Sequence, residues 1–204
     1  MPDYVALLDY RRTVAQLYAA VRRSTDPVAA WRRFRADRDA LFRDHPQSAL
    51  DPTQRRNFTT LSYYEYQPAL RVYASLEPAV AAEPRVVELP DDGPIRLRRV
   101  GYVRPLIAGQ AVSLAVYWVE GYGGGLFLPF RDATAGATTY GGGRYLLDTI
   151  KGADLGVYTN QLILDFNFAY NPSCAYNPRW HCPLAPVENR LDLAIEAGEL
   201  AFTA

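Results

Sequence analysis

A chain of 204 residues, 49% hydrophobic and 22% charged, has material for one well-buried core and ordinary globular proportions. Its 22 basic and 22 acidic side chains cancel, which leaves no electrostatic footprint for nucleic acid or an anionic membrane surface. No apolar run is long enough to span a bilayer and the Met1-Pro2-Asp3-Tyr4 start lacks a signal-peptide pattern, so a cytoplasmic protein whose two cysteines are thiols is expected.

Residues 3–23 place Tyr4, Leu7, Leu8, Val14, Leu17, Tyr18 and Val21 at helical spacing behind Asp3, a plausible N-cap. Thr25-Asp26-Pro27 announces a second helix, a capping residue followed by Pro in the first turn. Its stripe is Val28, Trp31, Phe34, Leu41 and Phe42, and His45-Pro46 should stop it, because Pro pushes the preceding residue out of the α region. The two helices are expected as an antiparallel pair, and Asp51-Pro52 opens a third, short helix to Phe58.

Beyond Leu61 the apolar period changes from 3.6 to 2. In 70–77, Leu70, Val72, Ala74 and Leu76 share one face, with Arg71, Ser75 and Glu77 on the other. Further strands are predicted at 86–89, 95–103, 112–119, 126–130, 144–150, 162–170 and 190–195, punctuated by Gly and Pro. Many short strands without helices between them predict an α+β protein. In it, an N-terminal helical pair packs on a mainly antiparallel β-sandwich or open β-barrel. The expected organisation is a helical segment over 1–60 and a β domain over 61–204, together one compact unit.

The chemistry concentrates between Phe127 and Glu199. If 162–170 is one strand, Leu162, Leu164, Phe166, Phe168 and Tyr170 claim the core, and Asp165 and Asn167 point together to the opposite side. Arg144 follows Gly141, Gly142 and Gly143, whose backbone freedom suits a close anion, yet no helix pattern follows, so this is not a phosphate loop. The bland reading pairs Arg144 with Asp132 or Asp165 inside the fold. Asp132-Ala-Thr134 fits a turn in which the carboxylate bonds its own backbone. Ala169-Tyr170-Asn171-Pro172 repeats as Ala175-Tyr176-Asn177-Pro178, two turns with Ser173-Cys174 at the bend between them.

Cys174 and Cys182 stand eight residues apart with His181 beside the second. Zinc needs four ligands, and His181 and Cys182 can hardly both face one ion, so no metal is expected and no cofactor either. A nucleophilic Cys174 would need His181 as its base; small buried thiols close enough to oxidise are the default.

These residues also carry a resemblance. Phe130-Arg-Asp-Ala-Thr-Ala-Gly136, Thr139-Tyr-Gly-Gly-Gly-Arg-Tyr145, Leu164-Asp-Phe-Asn167, Cys174-Ala-Tyr176, Cys182-Pro-Leu184, Glu188-Asn-Arg-Leu191 and Ala197-Gly-Glu199 resemble the bacterial Domain of Unknown Function 1684 family in its short form. The likeness extends more thinly to Trp31, Arg38, His45-Pro46, Ser48, Phe58 and Arg71, and departs near Glu65 and Gln67. It implies motif boundaries and no reaction.

Two functions remain in competition. In one, a pocket built from the 127–190 motifs binds a small polar or anionic ligand. Arg144, Asn167, Thr134, Tyr140, Tyr170, Asn171 and Asn189 would hold it, with Asp165, Asp132 or Cys174 as candidate catalytic groups. In the other, the protein is a non-catalytic structural or interaction domain whose motif residues brace loops.

Overall fold

The computed structural model describes residues 3–90 and 93–203. Helix α1 (Tyr4–Arg23) starts where Asp3 accepts the Ala6 N–H at 2.9 Å. Helix α2 (Pro27–Asp44) starts where Asp26 accepts the N–H groups of Val28 and Ala29, each at 3.0 Å, and it stops before His45-Pro46. Helix α3 (Pro52–Asn57) carries a reciprocal capping box between Asp51 and Gln54. These ends follow from backbone groups that need side-chain partners at helix termini.

Among the described residues ten strands follow in chain order: β1 (Arg71–Ala74), β2 (Glu77–Leu89), β3 (Gly93–Val103), β4 (Leu106–Ile107), β5 (Gln110–Ala111), β6 (Leu114–Val119), β7 (Gly125–Phe130), β8 (Arg144–Asp148), β9 (Val157–Tyr158) and β10 (Gln161–Asp165). They make a five-stranded sheet ordered β2-β3-β6-β7-β8, a three-stranded sheet ordered β1-β10-β9, and the β4–β5 ribbon. Every pairing between these strands is antiparallel. None of the sheets closes on itself, so the fold is α+β with open antiparallel sheets.

Strand β6 explains the layering. It is the central strand, and Leu114, Ala115, Val116 and Tyr117 are all buried, the continuous apolar run of a strand covered on both faces. Ala115 and Tyr117 belong to the core under the helices, with Trp31, Phe34, Phe42, Phe127 and Tyr145. Leu114 and Val116 belong to a second core, with Leu128, Phe130, Leu164, Phe166 and Ile195. Each fully buried Leu or Phe in these cores contributes about 1.5–3 kcal/mol relative to its exposed state.

Two predicted strands are corrected. The segment 162–170 is a strand only to Asp165, where a 3-10 turn over Phe166–Phe168 replaces it. The Asp165 carboxylate accepts the Asn167 N–H at 3.0 Å, and this local bond outcompetes continuation of the ladder. Consequently Phe166 and Phe168 do not share a face. Phe166 meets Phe130 edge-on in the second core, and Phe168 meets Phe34 in the first. Residues 190–195 form no strand; a single parallel bridge, Arg131 to Arg190, is what remains of that expectation.

Candidate functional site

Arg144 opens β8 with its side chain 1% exposed. Gly143 delivers it at φ 91°, in the left-handed region, and a Cβ there would stand 2.5 Å from the Phe130 carbonyl oxygen. Arg144 Nη2 donates to Asp132 Oδ1 at 3.2 Å and to the Ile195 carbonyl at 3.1 Å, and Nη1 donates to the Ala197 carbonyl. The other Asp132 oxygen accepts the Thr134 hydroxyl at 2.8 Å and the Ile195 N–H at 2.7 Å. Thr134 in turn shares a hydrogen bond with Thr139. Burial pulls the Arg144 pKa down and Asp132 pulls it back. This network ties the 131–139 turn to the C-terminal segment.

Asp165 and Asn167 belong to a different network. Asp165 Oδ1 accepts both nitrogens of Asn167, and Oδ2 accepts Arg71 Nη1 at 3.1 Å and the Tyr66 hydroxyl at 3.3 Å. Asn167 completes itself on the Gln67 backbone, accepting its N–H at 2.7 Å and donating to its carbonyl at 2.9 Å. Its own carbonyl receives the Trp31 indole N–H at 3.2 Å. Burial raises the Asp165 carboxyl above the ordinary value, against the hydrogen bonds from Asn167 and Arg71. The three residues that strand parity drew together, Arg144, Asp165 and Asn167, are therefore divided. Arg144 took Asp132, one of its two expected partners, and Asp165 took Arg71.

Asn189, Asn171 and Tyr170 are buried as well, although the Asn171 Oδ1 and the Tyr170 hydroxyl find no hydrogen-bond partner among the described residues. Asn189, fully buried, accepts the Ala115 N–H at 2.7 Å and donates to the carbonyls of Ala115 and Pro129. Asn171 donates its side chain to the Leu200 carbonyl and its N–H to Glu199. Glu199 also takes Arg38 Nη2 at 3.1 Å and the Tyr176 hydroxyl, joining α2 to the chain's end. Tyr170 lies buried between Tyr145 and the Arg38 guanidinium.

The open space lies elsewhere. A hollow of about 480 Å³ separates α1 from the five-stranded sheet. Leu7, Tyr10 and Val14 form its helical wall; Ile95, Val119, Phe127 and Tyr145 form the sheet wall; Trp180, Cys182 and Pro183 close one side. Its polar groups are Arg11, Gln47, Asp148, Lys151, Ser173 and His181, with Lys151 ion-paired to Asp148 at 3.3 Å. A second hollow of about 430 Å³ shares Leu89, Trp180, His181 and Cys182 and adds Tyr140 and Cys174.

Of the predicted site residues, Tyr140 and Cys174 thus reach open space, while Asp132, Thr134, Arg144, Asp165, Asn167, Asn171 and Asn189 are buried. The α1 residues were missed because Leu7 and Val14 satisfy the helical stripe as well as any core residue does. The run Trp180-His181-Cys182 was the available signal. Among the described residues there is no group of three or more His, Cys, Asp or Glu placed to hold a metal, and no helix is long and apolar enough to cross a membrane.

No curated protein matches the chain. The solution NMR structure of an uncharacterised protein of Haloarcula marismortui is 31% identical, with a TM-score of 0.61 over 84% of this chain and 92% of that one. A family profile described as "Protein of unknown function (DUF1684)" matches residues 56–200, more than half of the chain and all of the motif stretch up to Leu200. The chain belongs to the DUF1684 family.

Proposed function

We propose that the protein binds a small amphiphilic ligand, with an apolar or aromatic body and an anionic end, in the hollow between α1 and the five-stranded sheet. The observation that supports this reading is the lining. A space of about 480 Å³ is walled by apolar and aromatic side chains with a few polar groups at its edge, the usual character of a small-molecule site. Phe127, Tyr145, Asp148, Ser173 and Cys182 bring the motif stretch into that wall. Arg11 supplies a cation for an anionic end beside the Lys151–Asp148 ion pair, which makes the ligand amphiphilic rather than wholly apolar. The buried motif residues have a different part in this proposal: they hold the loops that shape the wall.

Titration with 8-anilinonaphthalene-1-sulfonate, an aromatic body carrying one anionic group, tests it. The expected result is saturable fluorescence enhancement with one site per chain. Leu7→Trp, which fills the hollow from the helix side, should abolish the enhancement without moving the unfolding midpoint. Enhancement that never saturates, or that survives Leu7→Trp unchanged, overturns the proposal.

A further inference from the structure

The wall between the two hollows carries the protein's two cysteines, and their arrangement points to chemistry separate from ligand binding. Both are partly buried thiols, free of any disulfide. The Cys174 N–H donates to Cys182 Sγ at 3.4 Å, which seats the second sulfur against the backbone of the first. The Tyr140 hydroxyl lies 3.6 Å from Cys174 Sγ. Cys182 lines both hollows and Cys174 lines the smaller one, so reagents approach the pair from the surface. The segment between them turns at Ser173–Ala175 and again at Asn177-Pro178. Those turns bring residues eight apart in sequence back into contact.

We propose that Cys174 and Cys182 form a redox-active dithiol that exchanges with low-molecular-weight disulfides, Cys174 as the attacking sulfur and Cys182 as the resolving one. The Cys174 thiolate attacks one sulfur of the incoming disulfide. An S–S bond forms to Cys174, the reagent's own S–S bond breaks, and one small thiolate leaves. Cys182, after giving its proton to solvent or to that leaving thiolate, attacks Cys174 Sγ and expels the second small thiol. The protein loses two electrons to the disulfide, and an internal Cys174–Cys182 bond closes a short loop.

The assignment of roles follows from the groups beside Cys174. The adjacent Cys182 side chain and the Tyr140 hydroxyl, 3.6 Å from Cys174 Sγ, favour negative charge on Cys174, and its thiol is brought down to about 6. The Cys174 side chain in turn raises the Cys182 thiol above its ordinary value, so Cys182 keeps its proton until Cys174 has reacted.

The test uses the full reduced chain and oxidised glutathione. Aliquots are quenched with N-ethylmaleimide and weighed intact by mass spectrometry. The wild type should lose both maleimide labels together and retain no glutathione. Cys182→Ser should trap one glutathione on Cys174. Cys174→Ser should react at Cys182 at least about tenfold more slowly than the wild type reacts. Because either variant can disturb the turn, the wild type is also labelled with limiting iodoacetamide and mapped by peptide. Cys174 should be modified at least about tenfold faster than Cys182. Two stable glutathione adducts on the wild type, unreacted thiols, or equal alkylation of the two sulfurs would overturn the proposal.

Discussion

Asp132 and Arg144 are almost fully removed from water, so each is the other's principal means of keeping its charge inside the fold. Removing one leaves the other stranded, and stranded buried charges cost more than intact pairs contribute. Arg144→Met is therefore expected to cost about 3–5 kcal/mol in urea unfolding, with part of the loss recovered in the Arg144→Met, Asp132→Leu double variant. A cost below about 1 kcal/mol would show that water reaches this pair after all. Asn189 works by the same logic without a charge: three backbone groups of β6 and β7 depend on one amide. Such residues look catalytic in a sequence because polar groups that satisfy buried backbone and polar groups that meet a substrate are drawn from the same few types. The partner of Arg144 was legible, since Asp132 was one of two acids named for it. The burial was not, since nothing in Gly-Gly-Gly-Arg says what will cover the guanidinium.

At the scale of elements, the helices were legible to within a residue, because Asp3, Asp26-Pro27 and Asp51-Pro52 announce their own starts through local bonds. Most strands were legible through their alternation. The failure at 165–170 has a specific cause. Alternation of apolar residues continues through Phe166, Phe168 and Tyr170, but the Asp165 side chain captures the backbone two residues on and rotates the chain between two cores. Asp165 and Asn167 do meet, but through this turn and not through strand parity. The strand expected at 190–195 does not form for a related reason: the C-terminal segment is held through single contacts instead of a ladder. Gly198 shows how tight those contacts are. It sits at φ 78°, and a Cβ would meet the Phe166 and Ala169 carbonyl oxygens at 2.7 Å. Gly198→Ala should cost more than about 2 kcal/mol, because the left-handed strain and the backbone collision add, and thermal unfolding measures it. An unchanged melting temperature would mean that the segment can lift away from the 3-10 turn.

For the whole molecule, the core beneath the helices is one cluster that takes Tyr18 from α1, Trp31 and Phe34 from α2, and Tyr117, Phe127 and Tyr145 from the five-stranded sheet. Elements that share one core have no independent stability to fall back on. Far-ultraviolet dichroism and tryptophan fluorescence should report coincident unfolding transitions; a helical phase that melts earlier would separate residues 1–60 from the rest. The hollow between α1 and the sheet is a property of this scale alone. No single residue encodes it, and its lining reads in sequence as ordinary amphipathic helix and strand.

Strand β2, at one edge of the five-stranded sheet, carries a consequence of its own. It is thirteen residues long and exposes Val80 and Val86 along its free border. Pro78 and Pro84 interrupt that border with residues that have no N–H to offer, and Glu83, Arg85 and Glu88 surround it with charge. A neighbouring chain that tried to extend the sheet would find its ladder broken at both prolines, which disfavours edge-to-edge pairing where bare backbone would otherwise invite it.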